Sequence, residues 1–155
     1  MLESIRERRK VVILGIGKSG NIGRKLAATL SSTQLAALST LDMSVLSSTD
    51  VRALSSTALA GLSTAQAQVL ASAQAAALTS TQTAVLSTGQ VVALLTEAIA
   101  AMNTAAVRAL STSNIGALTT DQIAVLTTAD VRAPLSTAQV SAFTTGQVVA
   151  LTSAH

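Results

Sequence analysis

Leucine returns at every eighth position of this chain from residue 30 to residue 126, with Met102 as the one substitution. After one extra residue at Pro134, the same spacing resumes at Leu135, Phe143 and Leu151. We number each octad from its leucine. Position six is then mostly Val, Ile or Leu, and position eight is Ala, Val or Gly. This pattern predicts that positions one and six form a continuous core, that position eight packs closely, and that positions four and seven face water.

A pair of hydroxyl residues follows each leucine. Position three is Ser or Thr in every octad, and position two departs from Ser or Thr only at Ala71, Leu95 and Asn103. Position five is Gln or Asp in most octads. This spacing is that of a capping box, so each octad is predicted to begin a helix of about a turn and a half. Where Ala71 and Leu95 replace the hydroxyl, Ser72 and Thr96 remain as fallback caps, so the pattern leaves the capping frame open by one residue.

The period of eight decides between fold classes. A continuous helix would turn about 80° too far per octad at about 100° per residue, so its leucines would form no stripe. A β-solenoid remains the alternative, but its corners favour Gly or Asn, and the few glycines of the octads hold no regular position. We therefore predict an all-α solenoid of very short capped helices, one per eight-residue repeat, with a kink or phase shift at Pro134.

Composition excludes several kinds of chemistry. The 155 residues contain no Cys and one His, His155. Disulfides and thiolate catalysis are thereby excluded, and a histidine base or a histidine metal cluster is not expected. We predict no catalytic residue, no metal site, no cofactor and no enzyme activity. Mean hydropathy is +0.55, yet the hydroxyl pairs interrupt every octad, so no membrane span is expected.

Charge divides the chain into two domains, a basic N-terminal segment (residues 1–29) and an octad solenoid (residues 30–155). Residues 1–25 hold seven basic and two acidic residues, whereas the remainder holds three basic and five acidic residues. The solenoid therefore carries a net charge of −2, which argues against nucleic acid as its partner.

The sequence shows no signal peptide, because the stretch from Val11 to Leu14 is too short for the apolar part of one. A bacterial cytoplasmic location is the default expectation, and secretion is the alternative if the octads belong to a larger repeat protein.

The N-terminal segment has its own pattern. Residues 3–10 are predicted to form a charged helix, residues 11–14 a buried strand, and residues 21–30 a second helix. The loop between the strand and the second helix places backbone N–H groups where an anion binds, assisted by a lysine. Its candidate phosphate-binding residues are Gly15, Gly17, Lys18, Ser19 and Gly20. The spacing is too short for a Walker A loop.

Residues 11–33 resemble the start of a sugar isomerase (SIS) domain, most closely that of the arabinose 5-phosphate isomerase family. The resemblance implies that Lys18 and Ser19 contact a sugar phosphate, although Asn21 stands where that family usually has His. It ends at Thr33, before the five-stranded sheet that a complete domain needs. The segment therefore reads as a product of fusion or recombination. It could fray, associate through residues 11–14, or become helical and cap the first octad, which is the fate we expect.

The octads resemble Leu-Thr-Thr-x-Gln-Val-x-Ala tracts of very large bacterial repeat proteins, which are often taken to be adhesin-like. They are also similar to the start of the repeats in TAL-type DNA-binding effectors, but they lack the base-reading loop.

Three functions follow from the sequence, in order of expectation. The first is a structural or protein-interaction solenoid that binds a protein partner or itself. The second is a degenerate sugar-phosphate binder or isomerase fragment, and the third is a nucleic-acid or membrane binder through residues 6–10.

Overall fold

The computed structural model describes residues 30–126 and 135–153, and all regular structure in these two stretches is helical. The all-α prediction is therefore confirmed, and the β-solenoid alternative is wrong. The helices are α1 (Ser32–Ala36), α2 (Thr40–Ser44), α3 (Ser48–Ala53), α4 (Ser56–Ala60), α5 (Thr64–Gln68), α6 (Ser72–Ala76), α7 (Ser80–Thr83), α8 (Thr88–Ala93), α9 (Thr96–Ala101), α10 (Thr104–Arg108), α11 (Thr112–Ala117), α12 (Thr120–Ala124), α13 (Thr137–Ser141) and α14 (Thr145–Ser153).

Each helix begins where the hydroxyl pair predicts it. The position-two residue is the N-cap in extended conformation, as at Ser31 with φ −75° and ψ 163°, and its hydroxyl accepts the N–H of position five. The chain leaves the helix through an extended position one, as at Leu54 with φ −61° and ψ 140°. No residue of the described stretches has a positive φ. The corners between helices are therefore made from ordinary extended residues and need no glycine.

The helices stack into a solenoid in which stacked partners are three octads apart. The main contacts between helices in the described stretches join a helix to the one three octads further along, for example α1 to α4, α5 to α8 and α12 to α14. Positions one and six form one continuous core between the turns, as predicted. Position four is exposed throughout, and position seven is exposed except at Gly116 and Ala124, which are half-buried.

Position eight does not pack as closely as its small side chains suggested. In the described octads it is half-buried in most cases and exposed at Ala37, Val45 and Val85. The reason is its place in the repeat, because it commonly serves as the C-cap residue at the corner where the chain turns toward the next octad. Several of these side chains, among them Ala53, Val69 and Ala93, pack against the core at this corner while remaining partly exposed.

The structure decides the capping frame at the two octads that lack the position-two hydroxyl, and the fallback caps are not used. Ala71 and Leu95 remain the N-cap residues, and α6 and α9 begin at the usual position without a side-chain cap. Burial of positions one and six fixes the frame, so a missing hydroxyl removes a hydrogen bond but does not move the helix. A predicted break is also absent in α14, where Thr152 Oγ1 donates to the carbonyl of Val149 instead of capping a new helix.

Residues 1–29 and the predicted kink at Pro134 lie outside the described residues, so the domain boundary before residue 30 stays a prediction. Within the described stretches, no helix is long and apolar enough to cross a bilayer.

Position six offers a matched test of the core. Val91 is 0% exposed between two turns, whereas Val140 occupies the same octad position and is 49% exposed. We expect Val91→Ala to lower the free energy of unfolding by about 1–3 kcal/mol, because it removes two buried methyl groups and leaves a cavity. Val140→Ala should change it by less than about 0.5 kcal/mol. Urea unfolding followed by far-UV circular dichroism measures both, and equal losses would contradict the stacking.

Candidate functional site

The glutamine at position five binds both its own helix and the turn before it. In α7, Oε1 of Gln82 accepts the backbone N–H of the cap residue Thr79 at 2.9 Å. Its Nε2 donates to the carbonyl oxygens of Val51 at 2.8 Å and Leu54 at 2.7 Å, which lie 31 and 28 residues earlier. The side chain is 2% exposed. The capping half of this arrangement was predicted, but the inter-turn half and the burial were not.

The same arrangement recurs along the stack and forms what we call the glutamine ladder. At each member, Nε2 reaches the carbonyl of a position-one leucine at 2.6–2.8 Å. Its members are Gln66, Gln74, Gln82, Gln90, Gln122, Gln139 and Gln147. The last carbonyls of a helix have no intrahelical partner, and a five-residue helix consists largely of such ends. The ladder therefore pairs position-one carbonyls such as that of Leu54, and it adds a second donor to position-six carbonyls such as that of Val51, which also accepts the N–H of Leu54.

In two octads that lack a position-five glutamine, an asparagine side chain forms the hydrogen bond to the preceding turn. Asn114 occupies position five and donates from Nδ2 to the carbonyl of Leu86 at 3.0 Å. Where position five is Ala106, the amide comes from position two instead. Asn103 accepts the N–H of Ala106 at 2.9 Å and donates to the carbonyl of Leu78 at 2.9 Å. Asn103 thus caps its own helix and also forms a hydrogen bond to the preceding turn.

The ladder continues across the extra residue at Pro134. Gln139 and Gln147 donate to the carbonyls of Leu110 and Leu118, each 29 residues earlier, instead of the usual 28. The octad partners are the same as elsewhere in the array, so the insertion adds one residue to a turn without changing which octads pair.

The first described turn has different chemistry at position five. Asp42 and Asp50 replace glutamine there, and each uses Oδ2 to accept the N–H and hydroxyl of its cap serine. Asp50 is 1% exposed. Its Oδ1 is buried and has no hydrogen-bond partner within residues 30–126 and 135–153. Gln34, also in this turn, is exposed.

The last described turn leaves core positions open to water. We call Val140, Phe143, Val148 and Leu151 the C-terminal face. Val140 and Val148 occupy position six and are 49% and 46% exposed, whereas this position is at most 1% exposed from α1 to α12. The last ladder member, Gln147, donates backward to the carbonyls of Ile115 and Leu118. The carbonyl of Val140 accepts the backbone N–H of Phe143 at 3.2 Å, as position-six carbonyls of earlier octads accept that of position one.

The candidate phosphate-binding residues, Gly15, Gly17, Lys18, Ser19 and Gly20, lie outside the described residues. The residues that sequence reasoning missed are those of the ladder. One signal for them is present in the sequence. A capping box accepts Glu at its last position as readily as Gln, yet no octad has Glu at position five. The preference for Gln over Glu indicates that donation is favoured in many octads, although Asp42, Asp50 and Asp130 place a carboxylate at the same position.

Comparison with known families identifies the octads. The sequence profile of the ALTTAQ repeat matches residues 43–80, 96–128 and 124–155, which together cover more than half of the chain. The resemblance of the octads to bacterial repeat tracts is thereby confirmed.

One curated relative matches elsewhere. It is arabinose 5-phosphate isomerase KdsD of Francisella tularensis, which is 54% identical over 33 residues. This match covers 21% of the chain and 10% of the isomerase, and it confirms the short isomerase-like resemblance. The matched stretch thus spans about a tenth of that enzyme. No solved structure matches the chain.

The donor role of the ladder is testable with an isosteric change. Gln82→Glu keeps the acceptor for the Thr79 N–H but sets a buried carboxylate against the carbonyls of Val51 and Leu54. We expect it to lower the free energy of unfolding by about 3 kcal/mol at neutral pH. The loss should shrink as the pH falls from neutral to about 4, because burial against carbonyl oxygens raises the pKa of the introduced carboxyl and its protonation restores a donor.

The matched control is Gln34→Glu, in the same octad position but exposed and without an earlier described turn. It should change stability by less than about 0.5 kcal/mol. Chemical unfolding at neutral pH and at about pH 4 measures the free energy of unfolding of both variants. Equal losses for Gln82→Glu and Gln34→Glu would contradict a donor role for the ladder glutamines.

Proposed function

Because the chain belongs to the ALTTAQ repeat family, we propose that it is a non-enzymatic structural solenoid that binds protein partners by adding their octad repeats to its C-terminal face. The observation that carries this proposal is the exposure of Val140 and Val148 at a position that is buried in the preceding turns. Exposed apolar side chains at the end of a repeat array favour association with a further layer.

The chemistry of the partner follows from the turns inside the chain. Each inner face of this kind is covered by octads that supply aliphatic side chains and a position-five amide. The carbonyls of Val140 and Phe143 are the equivalents of those that Gln82 and Gln122 bind. An octad tract with Gln or Asn at position five would donate hydrogen bonds to these two carbonyl oxygens, whereas the carboxylate of Glu would repel them. The octad sequence itself is therefore the recognition element.

A synthetic octad peptide of about one superhelical turn tests the proposal. We expect a labelled peptide with Gln at each position five to bind the full chain in fluorescence anisotropy. A peptide with Glu at those positions should bind at least about tenfold more weakly, because its carboxylates face carbonyl oxygens. Val148→Asp should weaken binding of the Gln peptide by a similar factor.

The control variant is Val45→Asp, which changes an exposed valine far from the C-terminal face and should leave binding unchanged. Equal binding of both peptides, or equal effects of both substitutions, would contradict the proposal. A second copy of the chain is one candidate partner. Its binding would raise the mass measured by light scattering with increasing protein concentration, and Val148→Asp should abolish that increase.

A second candidate function rests on the match of residues near the Gly-rich loop to the isomerase. A loop of this kind binds phosphate through backbone N–H groups, and Lys18 would add a positive charge. This hypothesis predicts that arabinose 5-phosphate raises the Tm of the full chain and that Lys18→Ala removes the increase. Inorganic phosphate is the control, since an equal shift with both ligands would indicate anion binding without sugar recognition. No shift with either ligand would exclude the hypothesis.

A further inference from the structure

The cap positions distinguish one side of the solenoid. Helices α3, α6, α9 and α12 stack on one another, and we call the outward surface of these helices and their caps the lateral side. In the described octads, position two is apolar at Ala71 and Leu95 alone, and these residues are the N-caps of α6 and α9, which are neighbours on this side. Leu95 is 48% exposed. An exposed leucine in place of a capping side chain favours contact with another surface.

Charged residues of opposite sign flank these two caps. Arg52 lies on α3, one turn before α6, and Asp121 lies on α12, one turn after α9. Both side chains are exposed, and neither forms an ion pair with a residue of the described stretches. Glu97 adds a second negative charge on α9. The lateral side therefore runs from a positive charge, through two apolar caps, to negative charges.

We propose that the lateral side binds the lateral side of a second copy of the chain, in an antiparallel dimer that uses no residue of the C-terminal face. A surface with this order of charges is complementary to itself when it is reversed. A two-fold axis between α6 and α9, parallel to these helices, places Arg52 of each copy opposite Asp121 of the other. The same axis places Leu95 opposite Ala71. Apolar residues then meet near the axis, and opposite charges meet at the rim of the contact.

The dimensions of the stack permit both pairings. Packed helices lie about 8–10 Å apart, and the axis lies midway between α6 and α9, so Arg52 and Asp121 are equally far from it. Arg52 occupies position seven and Asp121 position four, an offset of about 4.5 Å along the helix at about 1.5 Å per residue. The long side chain of arginine spans that offset. Glu97 then meets exposed Ala73, so among the described residues of the lateral side no like charges face each other.

The charges disfavour the other two-fold arrangement of the same surfaces. In a parallel dimer the axis runs along the solenoid, and each residue of the lateral side lies opposite its own copy. Arg52 would then face Arg52, and Glu97 and Asp121 would face the same acidic residues of the other chain. Like charges placed against each other cost binding free energy, so the antiparallel dimer is the favoured one.

Cysteine capture tests the occupant and the register. The contact surface of four short helices is small, so we expect a transient dimer that a disulfide can trap. The chain has no Cys. A mixture of full chains with Leu95→Cys and full chains with Ala71→Cys should form a disulfide-linked heterodimer under mild oxidation, because the proposed axis sets these positions face to face. Each variant alone should link at least about tenfold more slowly, since its two cysteines lie one turn, about 8–10 Å, apart along the dimer.

Charge reversal tests the rim of the contact. Arg52→Asp in both chains of the mixture should slow the linkage by about tenfold, because two attractive pairs become repulsive. Addition of Asp121→Arg to the same chains restores opposite charges in both pairs and should restore the rate. The matched control is Arg108→Asp, which should leave the rate unchanged. Arg108 is exposed at the same octad position, but it lies on α10, which stacks on α7 outside the lateral side.

A third substitution separates this dimer from binding at the C-terminal face. Val148→Asp in both chains should leave the linkage rate unchanged. Faster linkage in the mixture than in either variant alone, together with recovery of the rate in the doubly reversed chains, supports the lateral dimer. Linkage in the mixture no faster than in one variant alone, equal effects of Arg52→Asp and Arg108→Asp, or loss of linkage with Val148→Asp would overturn it.

Discussion

The ends of the helices are the constraint on which this fold depends. A helix of five residues makes few internal hydrogen bonds and leaves its first N–H groups and last carbonyls without partners. Here one amide satisfies both ends, because its oxygen binds the start of its own helix and its nitrogen binds the end of a helix one turn earlier. Each bond contributes only about 1 kcal/mol net, but leaving the buried groups unpaired would cost more. The stack and the short helices are therefore stable only together.

Much of the fold follows from the sequence because its determinants are local. The hydroxyl pair and position five lie within one helical turn, so the capping box predicts helix starts such as Ser32 and Thr88. The core positions follow from the eight-residue spacing. The number of octads per turn does not, since it depends on how extended residues such as Leu54 direct the chain at each corner. Without that number, the carbonyl partners of Gln82 could not be assigned.

The same distinction applies to the candidate sites. The exposed valines of the C-terminal face have the same residue type and octad position as buried Val91, so only the stacking separates them. Asp50 likewise resembles Asp42 in sequence, and its burial is visible only in the folded turn.

The target of each ladder amide is a backbone carbonyl, which is identical in every octad whatever its side chains. A glutamine that binds Leu54 would bind the carbonyl of any other position-one residue equally well. Gain or loss of a whole octad therefore brings each later glutamine to an equivalent partner, and even one added residue at Pro134 is absorbed. In a gene, such changes correspond to slippage between near-identical repeat units during replication. The array can vary in length over evolutionary time while its outward residues diverge independently, because neither change disturbs the bonds between turns.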